Sequence, residues 1–101
     1  MRMLMNVEFP LEPFNTAVRD GTAGEIIRKI LDACKPESVY FTEQHGRRSA
    51  ILVVQVERES QIPAFSEPWF LQFEAECQFR IAMTPADLQQ AELQSLGKKW
   101  G

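Results

Sequence analysis

The sequence predicts an α+β domain, a four-stranded antiparallel sheet with helices packed on one face. Three observations carry this. Ser38 to Glu57 reads as two strands joined by a tight polar loop, and Ile51, Leu52, Val53, Val54 and Val56 make it the most β-prone run in the chain. Two further stretches, Arg2 to Phe9 and Glu74 to Thr84, alternate apolar and polar residues with the period of a strand. Segments with apolar residues at helical spacing separate these strands.

The first strand, Arg2 to Phe9, puts Met3, Met5, Val7 and Phe9 on one face and Arg2, Leu4, Asn6 and Glu8 on the other. Pro10 and Pro13 end it, because proline cannot donate to a sheet ladder. Phe14 to Asp20 reads as a loose helical turn, broken at Asp20-Gly21. Thr22 and Glu25 stand at capping-box spacing, and Ile27, Ile30, Leu31 and Cys34 follow on one helical face. The first helix therefore runs from Thr22 to Cys34 and stops before Pro36. The second strand is Ser38 to Gln44 and the third Ser49 to Glu57. His45-Gly46-Arg47-Arg48 joins them, with the glycine that a short hairpin loop needs. Ser60 is placed to cap a second helical region that extends to Phe73, which Pro68 is expected to break or kink. The fourth strand, Glu74 to Thr84, sets Cys77, Phe79, Ile81 and Met83 against Glu76, Gln78, Arg80 and Ala82. Thr84-Pro85 opens a third helix with a good N-cap and a proline at its first position. Leu88, Leu93 and Leu96 give that helix an apolar side, and Gly97 is its expected stop.

With 101 residues the chain is expected to form one domain, residues 1–101, with a modest core that gains from a partner. A net charge of -3 gives no reason to expect nucleic acid. No apolar run approaches the ~20 residues of a bilayer span, and MRMLMNVEF lacks the features of a signal peptide. No membrane association and a cytoplasmic location are the resulting expectations. Cys34 and Cys77 each take an apolar position in their elements, so two reduced core thiols are favoured over a redox pair. One histidine and no Cys-x-x-Cys leave a structural zinc ion without a ligand set. Neither a Gly-rich phosphate loop nor a Gly-x-Ser-x-Gly elbow is present.

The order β-α-β-β-α-β plus a C-terminal helix is that of a ferredoxin-like domain. Right-handed crossovers put the helices on one face, and the strands take the spatial order four, one, three, two. The helix-covered face is then Met3, Met5, Val7, Val39, Phe41, Leu52, Val54, Val56, Cys77, Phe79, Ile81 and Met83. The open face holds Leu4, Asn6, Glu8, Tyr40, Thr42, Ile51, Val53, Gln55, Gln78 and Arg80. Cover by a second copy's sheet is favoured there over a solvated face with scattered apolar residues, because Leu4, Tyr40, Ile51 and Val53 cluster. A homodimer is expected unless Pro85 to Gly97 folds across this face.

The succession Val18-Arg19-Asp20-Gly21, Lys35-Pro36-Glu37 with Tyr40-Phe41-Thr42, Ile62-Pro63, and Glu67-Pro68-Trp69-Phe70-Leu71 resembles a family of small bacterial proteins of unknown function. The resemblance spans nearly the whole chain. That family is similar in topology to the dimeric α+β barrels, which include muconolactone isomerases and cofactor-free antibiotic-biosynthesis monooxygenases. The resemblance implies two subunits packed sheet to sheet and a small organic ligand, bound without a cofactor. Neither enzyme's catalytic motif is present, and a fold does not fix a function. An alternative from a different class is a non-catalytic protein-interaction module.

The candidate ligand-binding residues are Glu8, Tyr40 and Arg80, with Asn6, Gln78 and Trp69. The first three share the open face and offer a carboxylate, a phenol and a guanidinium for orienting a small acid or phenol. A structural cross-strand network at a dimer interface accounts for them equally well. Arg80 is expected to meet Glu8, of its own or the partner chain, or a bound anion, because a covered guanidinium without a partner is costly. Trp69 and Phe70 suit an aromatic wall at a pocket mouth, although core filling is favoured. His45 reads as a solvated loop residue rather than a general base, and Arg47-Arg48 as a solubilising pair rather than an anion site.

Overall fold

Strand β1 (Arg2–Glu8) forms because its apolar and polar residues alternate without interruption, and it is central because both its edges are paired. The computed structural model describes residues 1–101. After β1 come α1 (Phe14–Asp20), α2 (Ala23–Cys34), the hairpin strands β2 (Ser38–Gln44) and β3 (Arg47–Gln55), a 3-10 turn (Glu59–Gln61), α3 (Ile62–Phe73) and β4 (Glu76–Ile81). Two short helices, α4 (Pro85–Gln90) and α5 (Leu93–Trp100), end the chain. All strand pairs are antiparallel and the spatial order is β2-β3-β1-β4. The class is the expected α+β one, and the order agrees with four, one, three, two.

The core lies between the sheet and the first three helices. Met3, Met5 and Val7 of β1 and Ala50, Leu52 and Val54 of β3 are buried against Phe14, Ile30, Trp69 and Phe73. Phe9, just past β1, is the hub of the aromatic part. Its ring makes edge contacts with Phe14 at 5.1 Å, Trp69 at 5.7 Å and Phe73 at 5.3 Å between centroids. Cys34 and Cys77 are free thiols packed against this core. Burial raises the pKa of Cys34, and it pushes that of Cys77 up to about 12, because a thiolate is poorly solvated there.

Several local expectations are corrected. Phe14–Asp20 is a regular helix, closed by Gly21 in the left-handed region at φ 81°. Thr22 does not cap α2. Its hydroxyl donates to Asp20 Oδ1 at 2.6 Å, and its backbone N–H donates to the same oxygen at 3.0 Å. This local turn takes the Thr22 N–H that Glu25 would accept in a capping box, and Thr22 keeps helical backbone angles rather than the extended ones of an N-cap. Ser60 does not cap α3 either; Gln61 Oε1 accepts instead from the N–H of Glu57 at 2.7 Å and of Arg58 at 3.1 Å. Helix α3 continues through Pro68 to Phe73. The carbonyl that Pro68 leaves without its helical donor is that of Ala64, an exposed residue, so the missing bond is not buried.

The hairpin loop is two residues, His45 (φ 57°) and Gly46 (φ 73°), as in a type I′ turn, so Arg47 and Arg48 belong to β3. Strand β4 is shorter at both ends than the alternation suggests. Phe41, Ile81 and Met83 were expected under the helices but are more than half exposed. Phe41 and Ile81 lie on the two edge strands and Met83 beyond β4, where the helical cover ends. The expected C-terminal helix is two helices, parted at Glu92 in the left-handed region (φ 54°), and Gly97 lies inside the second. Thr84 does cap the first. Its hydroxyl accepts from Asp87 N–H at 3.1 Å, and its own N–H donates to Asp87 Oδ2 at 3.0 Å. The bond from the Thr84 N–H holds the Asp87 carboxyl below the usual carboxylate range.

Two substitutions test this account in urea titrations. Leu52 is fully buried, and Leu52→Ala is expected to cost about 3 kcal/mol through lost burial and the cavity left behind. Gly46→Ala meets no steric obstacle, so its expected cost of about 1 kcal/mol comes from the left-handed backbone alone. A loss under half of either value contradicts the packing or the turn.

Candidate functional site

The register sorts the open sheet face into rungs. Thr42, Ser49, Glu8 and Glu76 lie across one rung, Tyr40, Ile51, Asn6 and Gln78 across the next, and Ser38, Val53, Leu4 and Arg80 across the third. Neither the helices nor the C-terminal segment covers this face, on which Tyr40 is 68 % exposed. Its middle is apolar, with Leu4, Ile51 and Val53 half-buried on neighbouring strands. Each end carries a polar cluster.

At the end of the face near the β1 N-terminus, Arg2 Nε donates to Glu37 at 3.1 Å and Gln55 Nε2 donates to the same carboxylate. The bond from Gln55, and then that from Arg2, lowers the pKa of Glu37.

At the hairpin end, the type I′ turn returns His45 over the sheet. His45 Nδ1 lies 2.8 Å from Glu8 Oε1, and Arg47 Nη1 lies 3.8 Å from Glu8 Oε2. The Glu8 side chain is 17 % exposed and that of His45 74 %. With Nδ1–H donating to the carboxylate, the neutral imidazole keeps Nε2 free as an acceptor. This pair borders a polar pocket of about 100 Å³, lined by Asn6, Glu8, Gln44, His45, Glu76 and Gln78. Asn6 Oδ1 is buried there without a hydrogen-bond partner in the chain, a state costly enough to favour a donor from elsewhere.

The structure brings together three of the candidate residues, Asn6, Glu8 and Gln78. Tyr40 and Arg80 share their face but not their pocket. Arg80 stands opposite Leu4, while Glu8 stands opposite Glu76. Four residues of strand separate the Arg80 and Glu8 positions, roughly 13 Å. Arg80 therefore makes no ion pair with its own Glu8, which His45 and Arg47 occupy instead. Trp69 is fully buried on the other side of the sheet, against Phe9 and Phe73, and lines no part of the open face. Core filling claims it, although its Nε1 is left without a partner.

Gln44 and Glu76 are absent from the sequence candidates, and His45 is weighed there as a general base but favoured as a solvated loop residue. Gln44 and Glu76 continue the alternation of Tyr40 and Thr42 and of Gln78 and Arg80, which was a usable signal. His45 needed the two-residue turn.

No group of three or more His, Cys, Asp and Glu side chains is placed to hold a metal ion. A larger concavity of about 660 Å³ lies between α4 and α5, but Glu92 is its only ionisable lining residue. No helix is long and apolar enough to cross a membrane. No protein-family model matches the chain, and no curated protein matches it.

The Glu37 cluster gives a pH prediction. A carboxyl with a lowered folded pKa adds stability in full above the ordinary glutamate value, ~4.3. That stability is lost as the pH falls through the lower folded value. Glu37→Gln is expected to flatten this part of the acid limb in melting temperature against pH. An unchanged acid limb shows that the cluster is not formed in solution.

Proposed function

We propose that this chain is a homodimeric α+β barrel protein of ferredoxin-like topology that binds a small organic ligand between sheet faces and moves a proton on it, as a cofactor-free isomerase does. The carrying observation is the His45–Glu8 pair at the edge of the polar pocket on an uncovered sheet face. A carboxylate-bound imidazole with a free Nε2 has the geometry of a general base, its ring oriented by the carboxylate. Nε2 takes a proton from a carbon beside a carbonyl, and the imidazolium returns it to another carbon of the same ligand. The double bond moves, and no oxidant or reductant is consumed. An acid–base pair supports this chemistry more directly than oxygenation.

Size supports the dimer. The pocket's 100 Å³ is well below the roughly 300 Å³ at which ligand sites begin. A second wall is needed, and a partner's sheet laid over Leu4, Ile51 and Val53 supplies one while covering apolar surface. Charge narrows the ligand. Two carboxylates, Glu8 and Glu76, line the pocket and neither lysine nor arginine does, so the lining offers a ligand carboxylate no cationic anchor. Neutral lactones and phenols suit the pocket better than aromatic acids.

A thermal-shift panel of lactones, phenols and aromatic acids tests the binding. Members of the first two classes are expected to raise the melting temperature. A panel without any stabilisation overturns the reading and leaves the non-catalytic interaction module. For a ligand that binds, NMR is expected to show deuterium entering at one carbon from solvent. His45→Gln should slow that exchange by about 10²- to 10⁴-fold while the melting temperature moves little, since the glutamine amide keeps a donor for Glu8. Exchange at the wild-type rate in the variant removes His45 as the base.

A further inference from the structure

The segment after β4 does not pack on the body of the protein. Every residue from Pro85 to Gly101 is exposed, and the chain measures 60 × 28 × 19 Å. Its radius of gyration is 17.0 Å, against about 13 Å for a compact chain of this length. Within this arm, Leu93, Leu96 and Trp100 share one face of α5 and are 56 %, 45 % and 78 % exposed. An eight-residue amphipathic helix with so exposed an apolar face is marginal in water. The arm therefore needs a surface that its own body does not offer.

We infer that the arm crosses to a second copy of the chain and closes that copy's polar pocket, so that each site is completed by the other subunit. The inference rests on the dimer proposed above. Charge complementarity selects the position. Lys98 and Lys99 make no ion pair within the chain, α5 contains no acid, and Glu74, which closes α3, and Glu76, which opens β4, are likewise unpaired. Glu76 lines the pocket, and Glu74 precedes it by two residues at the end of α3.

Geometry selects the same place. The arm leaves where Ala82 N–H bonds to Arg2 O at 3.0 Å, the end of the sheet away from the His45-Gly46 turn. Its own lysines are thus rooted far from its own Glu76. In a two-fold dimer with facing sheets and strands antiparallel across the interface, the root of each arm adjoins the partner's hairpin end. The lysines then meet Glu74 and Glu76 of the partner subunit, and Leu96 and Trp100 cover the pocket mouth. Reciprocal exchange buries the apolar stripes of both arms.

Cross-linking of full-length chains tests the exchange. Lys99→Cys and Glu76→Cys chains are mixed and oxidised, with each variant alone as the control for Cys34 and Cys77. The expected product is a disulfide-linked species of twice the chain mass that only the mixture forms. Its absence, or an intrachain link in the dilute double variant, overturns the inference. Sedimentation of a full-length Leu96→Glu, Trp100→Ala variant separates the two claims. Both residues are exposed in the single chain, so the body keeps its fold. Dimer dissociation is expected to rise at least ~30-fold, as for loss of a buried aromatic anchor. An unchanged dimer overturns the arm exchange and leaves the dimer standing, whereas a wild-type monomer overturns both.

Discussion

The structure depends on the two-residue period of β1. This strand is paired along both edges, so its alternation fixes which side chains of β3 and β4 face the helices and which face outward. A slip of one residue would send Met5 to the open face and drive Asn6 and Glu8 into the core, leaving a buried carboxylate without a partner. Phe9 locks the register beyond the strand. Its N–H donates to Arg48 O at 2.9 Å, and its ring holds Phe14, Trp69 and Phe73 in place. The aromatic core and the polar pocket are thus two readings of one register, and neither can be displaced without the other.

What the sequence made legible follows from the range of each interaction. Strand alternation depends on nearest neighbours, so β1, β2 and most of β4 could be read directly, as could the membership of Asn6, Glu8 and Gln78 on one face. Capping shows the limit. Thr84 and Asp87 close a capping box as their spacing suggests, but Thr22 and Glu25 at the same spacing do not, because Asp20 accepts the Thr22 backbone N–H that Glu25 would have to accept. A motif at the right spacing can be defeated by a neighbour two residues away. The hairpin was misjudged for a related reason. Arg47 and Arg48 look like loop residues by polarity, yet an exposed strand end tolerates them, and Arg48 stacks its guanidinium 4.5 Å over the Phe14 ring.

The site was legible only by face and not by rung. Glu8, Tyr40 and Arg80 do share the open side, but convergence needs the register, and the register separates them. Tyr40 is two strands away from Asn6, and Arg80 is opposite Leu4. What fills the gap beside Glu8 is His45, brought there by a turn in which a non-glycine residue takes φ 57°. Such a residue pays for its backbone through the partners it reaches. In this turn the compensation includes the bond to Glu8 and that from the Gly46 N–H to Glu43 at 3.0 Å.

The two C-terminal helices show how differently order can be supported within one arm. Helix α4 begins with reciprocal hydrogen bonds between Thr84 and Asp87 and a proline at its first position, so local chemistry alone favours it. Helix α5 has no side-chain cap, and Glu92 enters it from the left-handed region, which costs free energy in a residue other than glycine. Lys98 and Lys99 in its last turn suit the helix dipole, a contribution of at most about 1 kcal/mol at an exposed terminus. That leaves the stripe of Leu93, Leu96 and Trp100 as the one feature large enough to hold α5 together, and a stripe stabilises only when it is covered. The order of α5 and the burial of its apolar face are therefore a single equilibrium, set by whatever surface receives the arm.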